Sequence, residues 1–404
     1  MHDAPAAPAP RTDRVTAVLL ALFVGGLAAS ITVAQGTLLL LAAWVIIRRR
    51  HMPPMRWPLL GMVLAFAAWT LVAALASDDP AGSVRSARSL LWLGTPYVLL
   101  AALPDTGAAR RFLTALLVAV TAASVVAVVQ VLGCPPAPHE LPEPLAEMFR
   151  RCDRARGFFS IYMTLAGVLM LVLVAALPSV PRRPRPRVGF LLAWLLGAAA
   201  LALTFVRGAW LGFGLGAGVA ILGGRRRAVT LAAVSVGAAL LLVLLPGVLE
   251  RMRTIGDLQD PTTRERLAML EAGVRLVEER PILGIGPGQV RSVYPQYAPD
   301  YAVRRSTSHL HSSPMQIAVE RGLPGLALWL GIFVGFLVRA VRMLCALPAS
   351  HRDARALVLG AAAAVAGFLV AGLFEDNFGD SEVLLVAASV MALAFVVERD
   401  LEKA

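Results

Sequence analysis

The stretch VTAVLLALFVGGLAASITVAQGTLLLLAAWVII, Val15 to Ile47, decides how the chain is read. Arg14 precedes it, Arg48, Arg49 and Arg50 follow it, and nothing inside it is charged. As one helix it would be roughly 50 Å long, against a hydrocarbon core about 30 Å thick. The run therefore predicts a hairpin of two spans turning near Ser30 to Gly36. Arginines ahead of an apolar stretch resemble a signal peptide, but this one passes straight into a second span, which predicts an uncleaved anchor.

Working outward, the same pattern recurs. Hydrophobic residues make up 58% of the chain and mean hydropathy is +0.71, where soluble domains hold roughly 45–50% apolar residues. Further spans are predicted at 57–77, 90–104, 112–132, 158–180, 188–206, 208–224, 229–248, 322–338, 356–374 and 383–397. The expected fold is an all-α polytopic membrane protein of about 12 transmembrane helices. A large, partly helical periplasmic loop lies between the ninth and tenth spans. Residues 1–14 and 398–404 form tails, and 15–248 hold helices one to nine with a loop at 133–157. Residues 249–321 form the large loop and its approach to the tenth span, and 322–397 hold the last three helices. No internal repeat is evident, and the Pro/Ala-rich residues 3–10 suit a disordered tail.

Net charge is +12, almost all of it arginine, since Lys403 is the sole lysine. A basic chain can signal a nucleic-acid partner, but the charge sorts by side of the membrane. With both termini in the cytoplasm, the tails and the connections 48–56, 105–111, 182–187, 225–227 and 339–355 hold 21 basic residues against 7 acidic ones. The outer side holds 17 against 19. This is the positive-inside bias that orients spans, and it removes the case for nucleic acid.

The outer loops carry the candidates for chemistry. Cys134 and Cys152 are the only cysteines placed outside, where disulfides are permitted, so they are a candidate bridge, with two free thiols as the alternative. Residues 264–280 read as a helix with Leu267, Leu270, Val274 and Val277 in one apolar stripe, opened by Pro261, Thr262 and Thr263 and stopped by Pro281. Gly284, Gly286 and Gly288 follow. Without a preceding strand or a Gly-Lys-Ser/Thr they are turn glycines and not a phosphate loop.

Arg207 lies between two spans on the outer side. Either it snorkels to lipid phosphates or it clamps a phosphate, which suits a planar fork of permanent charge. Arg264 and Arg266 open the loop helix against its dipole, a placement that an anionic ligand would offset. His309 and His311 precede the tenth span. An imidazole suits general-base work near neutral pH, although a loop histidine is more often structural. Glu320 and Arg321 sit at the expected membrane edge, able to pair with each other. Glu375 and Asp376 lie in the last outer loop, where they could orient a histidine or bind sugar hydroxyls, although a solvated acidic turn is the commoner explanation. No cluster has metal-ligand spacing, and neither a metal nor another cofactor is expected.

These residues resemble a known family. His311-Ser312, nine residues, then Gly322-Leu323-Pro324-Gly325 matches the His-[Asn/Ser/Gln]-x9-Gly-x-x-Gly pattern of bacterial O-antigen ligases. Arg266 and the following helix, ending in Pro281-Ile282-Leu283-Gly284-Ile285-Gly286, look like the arginine helix and Pro-x-x-Gly-x-Gly turn shared by O-antigen ligases and polymerases. Arg207-Gly208 resembles the arginine–glycine pair between two spans in those proteins.

The resemblance implies a bacterial inner-membrane enzyme with a periplasmic site. It would transfer O-antigen from undecaprenyl diphosphate to lipid A-core oligosaccharide without a metal. His311 would be the catalytic histidine, and Arg207 and Arg266 would bind the diphosphate. Arg264, His309, Arg291 and Glu375 are further candidates for substrate contact, and membrane lipids are the remaining partners. Alternatives are an O-antigen polymerase, a protein O-oligosaccharyltransferase and a lipid-linked glycan transporter. The short stretch after the last span counts against the second, and polar residues gathered at the outer edge count against the third.

Overall fold

In the computed structural model, residues 13–48, 55–143, 145–182, 188–224 and 259–403 are described, with isolated positions between 227 and 250. All regular structure among them is helical. Asp13 caps α1 (Arg14–Ala29), and the chain turns at Ser30 into α2 (Ile31–Arg48), which gives the expected hairpin. Then come α3 (Leu60–Leu75), α4 (Pro80–Ser86), a 3-10 helix (Ala87–Gly94), α5 (Thr95–Ala102) and α6 (Thr106–Leu132). After α7 (Leu145–Phe149) follow α8 (Tyr162–Ala176), α9 (Val188–Leu203) and α10 (Arg207–Gly223). The later helices are α11 (Pro261–Glu279), α12 (Val290–Tyr297), α13 (Ser313–Ala346), α14 (Arg352–Ala371) and α15 (Ser381–Lys403).

Six of the described helices are long and apolar enough to cross a membrane: α2, α6, α8 with its 3-10 extension to Ser179, α13, α14 and α15. Four more, α1, α3, α9 and α10, are apolar but shorter. The segment read as a span at 90–104 differs. It is the 3-10 helix followed by the eight residues of α5, with Pro96 in the first turn of α5. Proline lacks an amide hydrogen and breaks the α-helical ladder behind it. The 3-10 helix and α5 follow one another without a gap, 8 and 8 residues, so together they reach roughly 28 Å against a hydrocarbon core about 30 Å thick. The span expected at 229–248 lies outside the described residues.

The bundle is organised around α8, α14 and α15, whose apolar residues are buried almost all round, the mark of a central helix. Small residues allow close crossings within it. A Cβ on Gly212 of α10 would fall 2.5 Å from the carbonyl oxygen of Gly367 on α14, which is the close approach that glycine permits between membrane helices.

A second, smaller core lies at one end of the bundle, built from Met269, Leu276, Ile285, Val290, Tyr294, Leu310 and Val319. Here the expected stripe on the loop helix is overturned at three of its four positions, Val277 alone packing against this core. Leu267, Leu270 and Val274 are 46%, 46% and 43% exposed, whereas Ala268, Met269, Ala272, Gly273 and Leu276 are buried. The small face wins because it lets α11 approach closely: a Cβ on Gly273 would meet Met315 Cγ at 2.7 Å. The helix also starts earlier than expected, at Pro261, with Asp260 as N-cap.

The tenth expected span also starts earlier. α13 begins at Ser313, and Gly322, at φ 68° and ψ 179°, kinks it. Leu323 N–H donates to the Pro281 carbonyl at 2.8 Å across that kink. The Pro281–Gly288 turn is thereby stitched to α13, with Ile285 N–H donating to Val319 O and Gly286 N–H to Glu320 O. Glu320 and Arg321 do pair, at 2.6 Å, but both are buried. Glu320 also accepts from Gly288 N–H and from the Gln316 amide.

Candidate active site

Three chain breaks deliver the side chains. Between α9 and α10 the residues Thr204–Val206 interrupt the helix, and Phe205 takes φ 54°, so Arg207 opens α10 at the end of the bundle. Arg207 is buried, and its Nη2 donates to Asp260 Oδ2 at 2.8 Å and to Thr263 Oγ1 at 3.3 Å. Asp260 thus has two roles, since its other oxygen caps α11 through Thr262 N–H. The first turn of α11 follows at once, with Arg266 one turn further on.

The second break is at His311, which has φ 48°. A left-handed conformation is costly for a non-glycine residue, so its surroundings must hold it. Leu310 N–H donates to Gln316 Oε1 at 2.9 Å, and Ser313 N–H to the Gly372 carbonyl at 2.7 Å. Ser313 Oγ then donates to the Glu375 carbonyl and accepts from Phe378 N–H. These bonds draw in the third break, the loop between α14 and α15.

That loop places Glu375 between the other two elements. One carboxylate oxygen pairs with Arg266 Nη2 and the other lies 3.0 Å from His311 Nδ1. A carboxylate only accepts, so Nδ1 carries the proton and Nε2 is left as the basic nitrogen. Arg266, Glu375 and His311 form one connected unit with Glu375 buried at its centre.

Arg207, Arg266, His311 and Glu375 line a single cavity of about 220 Å³. Its wall also holds Arg154, Tyr162, Met163, Phe205, Val206, Pro261, Thr262, Glu265, Met269, Val303 and Arg304. The first turn of α11 therefore faces the space, and a helix N-terminus favours anions. Among the described residues no group of three or more His, Cys, Asp or Glu is arranged to hold a metal ion.

The other sequence candidates fall elsewhere. His309 stands beside His311, its ring centroid 4.3 Å away and edge-on, but it is outside the cavity wall. Burial, with a smaller contribution from neighbouring His311, pushes its pKa down to about 4, so it stays neutral beside His311 at ordinary pH. Arg264 is exposed and its Nη2 donates to the Tyr301 carbonyl at 3.4 Å. Arg291 is exposed on α12. Neither lines the cavity, so the geometry selects Arg266 over Arg264. Cys134 and Cys152 are joined as a disulfide, their Cα atoms 5.8 Å apart.

Sequence reading missed Asp260, Glu265 and Arg304. Asp260 had a legible signal, an aspartate directly before Pro261-Thr262-Thr263 at a helix start. Glu265 and Arg304 had none, because a carboxylate and an arginine in a loop rich in both look like ordinary surface charge.

Residues 191–330 match the family described as O-Antigen ligase. That segment, about a third of the chain, is what is similar to the family. The matched segment contains Arg207, Asp260, Arg266, His311 and the Gly322 kink; Glu375 and Arg154 lie outside it. Activity of the O-antigen ligase or polymerase type, and a multi-pass membrane location, agree with that family and with the apolar helices. No curated protein matches the chain.

Proposed function

We propose that the protein is an O-antigen ligase, acting at the periplasmic face of the inner membrane. It moves a glycan from undecaprenyl diphosphate to a sugar hydroxyl of lipid A-core oligosaccharide. The observation that carries this reading is the convergence of His311, Arg207 and Arg266, from three separate segments, on one cavity.

The diphosphate is already a competent leaving group, so two tasks remain. The acceptor hydroxyl must lose its proton as it attacks, and charge growing on the departing oxygen must be stabilised. His311 Nε2 takes the proton, while Glu375 orients the ring and stabilises the imidazolium that forms. The acceptor oxygen bonds to the anomeric carbon as the bond from that carbon to the phosphate oxygen breaks, and undecaprenyl diphosphate leaves. Fixed guanidiniums at the leaving oxygen supply the charge stabilisation. Pairing with Glu375 leaves Arg266 further N–H donors for this, since a guanidinium has five. No metal is needed in this scheme, and in-line attack inverts the anomeric centre.

The test is to incubate purified protein with undecaprenyl-diphosphate glycan, lipid A-core and a chelator, and to resolve the products on a gel. Transfer of a glycan ladder to the core is the expected result. Elongation of the donor lipid alone would make the protein a polymerase, and the absence of any covalent product would favour a transporter. Retained anomeric configuration in the product would rule out the single in-line step.

A further inference from the structure

The disulfide-closed loop ends two residues before Arg154, and the chain there is fixed with unusual care. Ala155 N–H donates to the Leu203 carbonyl at 2.9 Å, four residues ahead of Arg207. The buried amide of Gln130 clamps the next step, accepting from Gly157 N–H at 2.9 Å and Arg156 N–H at 3.3 Å and donating to the Gly157 carbonyl at 3.0 Å. Gly157 has φ 58°, and a Cβ there would lie 2.8 Å from the Ala123 carbonyl oxygen, so the tight seat requires glycine. The Arg154 guanidinium lies over the Tyr162 ring, 4.5 Å from its centroid. Its side chain is 28% exposed and lines the cavity.

The charges in that wall are uneven. Four arginines face two glutamates, Glu265 and Glu375. Arg207 pairs with Asp260 and Arg266 with Glu375. Among the described residues Arg154 has only Asp153 as an ion-pair partner, 3.9 Å away and 78% exposed, a contact that solvent screens to little effect. Glu265 accepts the backbone N–H of Arg304 at 3.0 Å, which anchors that residue. Among the described residues no carboxylate lies within ion-pair distance of the Arg304 side chain. Two arginines thus remain against one carboxylate of the wall, Glu265, and they are delivered from two different segments to the space that holds His311.

We propose that Arg154 and Arg304 form a second anion subsite in this cavity, which binds a phosphate group of a lipid-anchored glycan. Arginine suits the task because its planar fork binds phosphate oxygens in pairs, and stacking on Tyr162 holds the plane of Arg154 while leaving its charge. The proposal rests on the reading of the protein as a glycan transferase. In that reaction two phosphorylated lipids meet at one base, so the phosphate has two sources, the donor diphosphate and a phosphorylated acceptor.

Binding without turnover tests it. Purified full-length protein in detergent is titrated with undecaprenyl diphosphate, with lipid A bearing its phosphates and with dephosphorylated lipid A. Variants are Arg154→Ala, Arg154→Lys, Arg304→Ala and the control Arg150→Ala, whose side chain is 61% exposed and paired with Glu147. Losing a charged hydrogen bond should raise Kd for a phosphorylated probe about tenfold or more in the two alanine variants. Arg154→Lys should fall between, and Arg150→Ala should match the wild type. A rise for undecaprenyl diphosphate assigns the subsite to the donor; a rise for phosphorylated lipid A assigns it to the acceptor. If both alanine variants bind both phosphorylated probes as the wild type does, or the wild type does not distinguish phosphorylated from dephosphorylated lipid A and does not bind undecaprenyl diphosphate, the proposal is wrong. Phosphate-dependent binding by a wild-type protein that transfers no glycan would sink the transferase reading and leave the subsite standing.

Discussion

Glu375 shares one carboxylate between Arg266 and His311, so the consequences of mutating it and His311 are linked. If His311 is the base, His311→Ala removes a contribution of about 10²- to 10⁴-fold from the rate of transfer. Glu375→Gln keeps the shape and loses the charge that orients the ring, and its loss should be smaller. The double variant should be no slower than His311→Ala alone, because a group that acts through the histidine has nothing to act on once it is gone. Initial rates in membranes normalised to protein content decide this. Losses that multiply would mean that Glu375 has a separate task, such as binding a sugar hydroxyl. The sequence made both roles of Glu375 thinkable but could not choose between them. The choice depends on Ser313 tying Glu375 to the residue after next from His311, a contact across 62 positions that no local pattern announces.

At the scale of elements, the kink in α13 decides whether the loop and bundle meet correctly. A Cβ on Gly322 would sit 1.9 Å from the Ile282 carbonyl oxygen, at a φ of 68°. Gly322→Ala should therefore destabilise the protein by at least about 2 kcal/mol through backbone strain and clash, and should reduce transfer by shifting the turn against α13. Gly331→Ala in the same helix meets nothing within 4 Å and should be neutral or slightly stabilising. Thermal unfolding in detergent separates the two, and equal melting temperatures would remove the kink from the argument. Gly322 was visible in the sequence as part of a spaced motif, but its backbone conformation was not. The α11 helix was also legible, with its proline-flanked ends, yet its buried face was misread. Leucine and valine at helical spacing look like a core stripe, and the rule fails where alanine and glycine permit closer packing than larger side chains do.

Across the whole molecule, the ion pairs sort the connections into two groups. Asp13 with Arg48, Arg56 with Glu402, Arg110 with Asp353 and Arg339 with Glu398 all join segments assigned by charge to the cytoplasm. Arg207 with Asp260, Arg266 with Glu375 and Arg280 with Asp78 join segments assigned to the outer side. None of these pairs crosses between the groups. Arginine counts alone could suggest this division, because charge is costly to carry across a bilayer. They could not fix the number of spans, since a helix face against lipid is as apolar as one against protein and the period that marks a buried face is blurred. Single cysteines in a Cys345→Ser background test the division. Ser306→Cys, in the segment ahead of His311, should react with a membrane-impermeant maleimide on intact cells. Ser350→Cys, in the connection between α13 and α14, should react only after permeabilisation. Labelling of both from the same side would put His311 and the arginine-rich connections in one compartment. Were that side reached only after permeabilisation, the cavity would open to the cytoplasm, where neither the donor glycan nor the lipid A-core acceptor of the proposed reaction is presented.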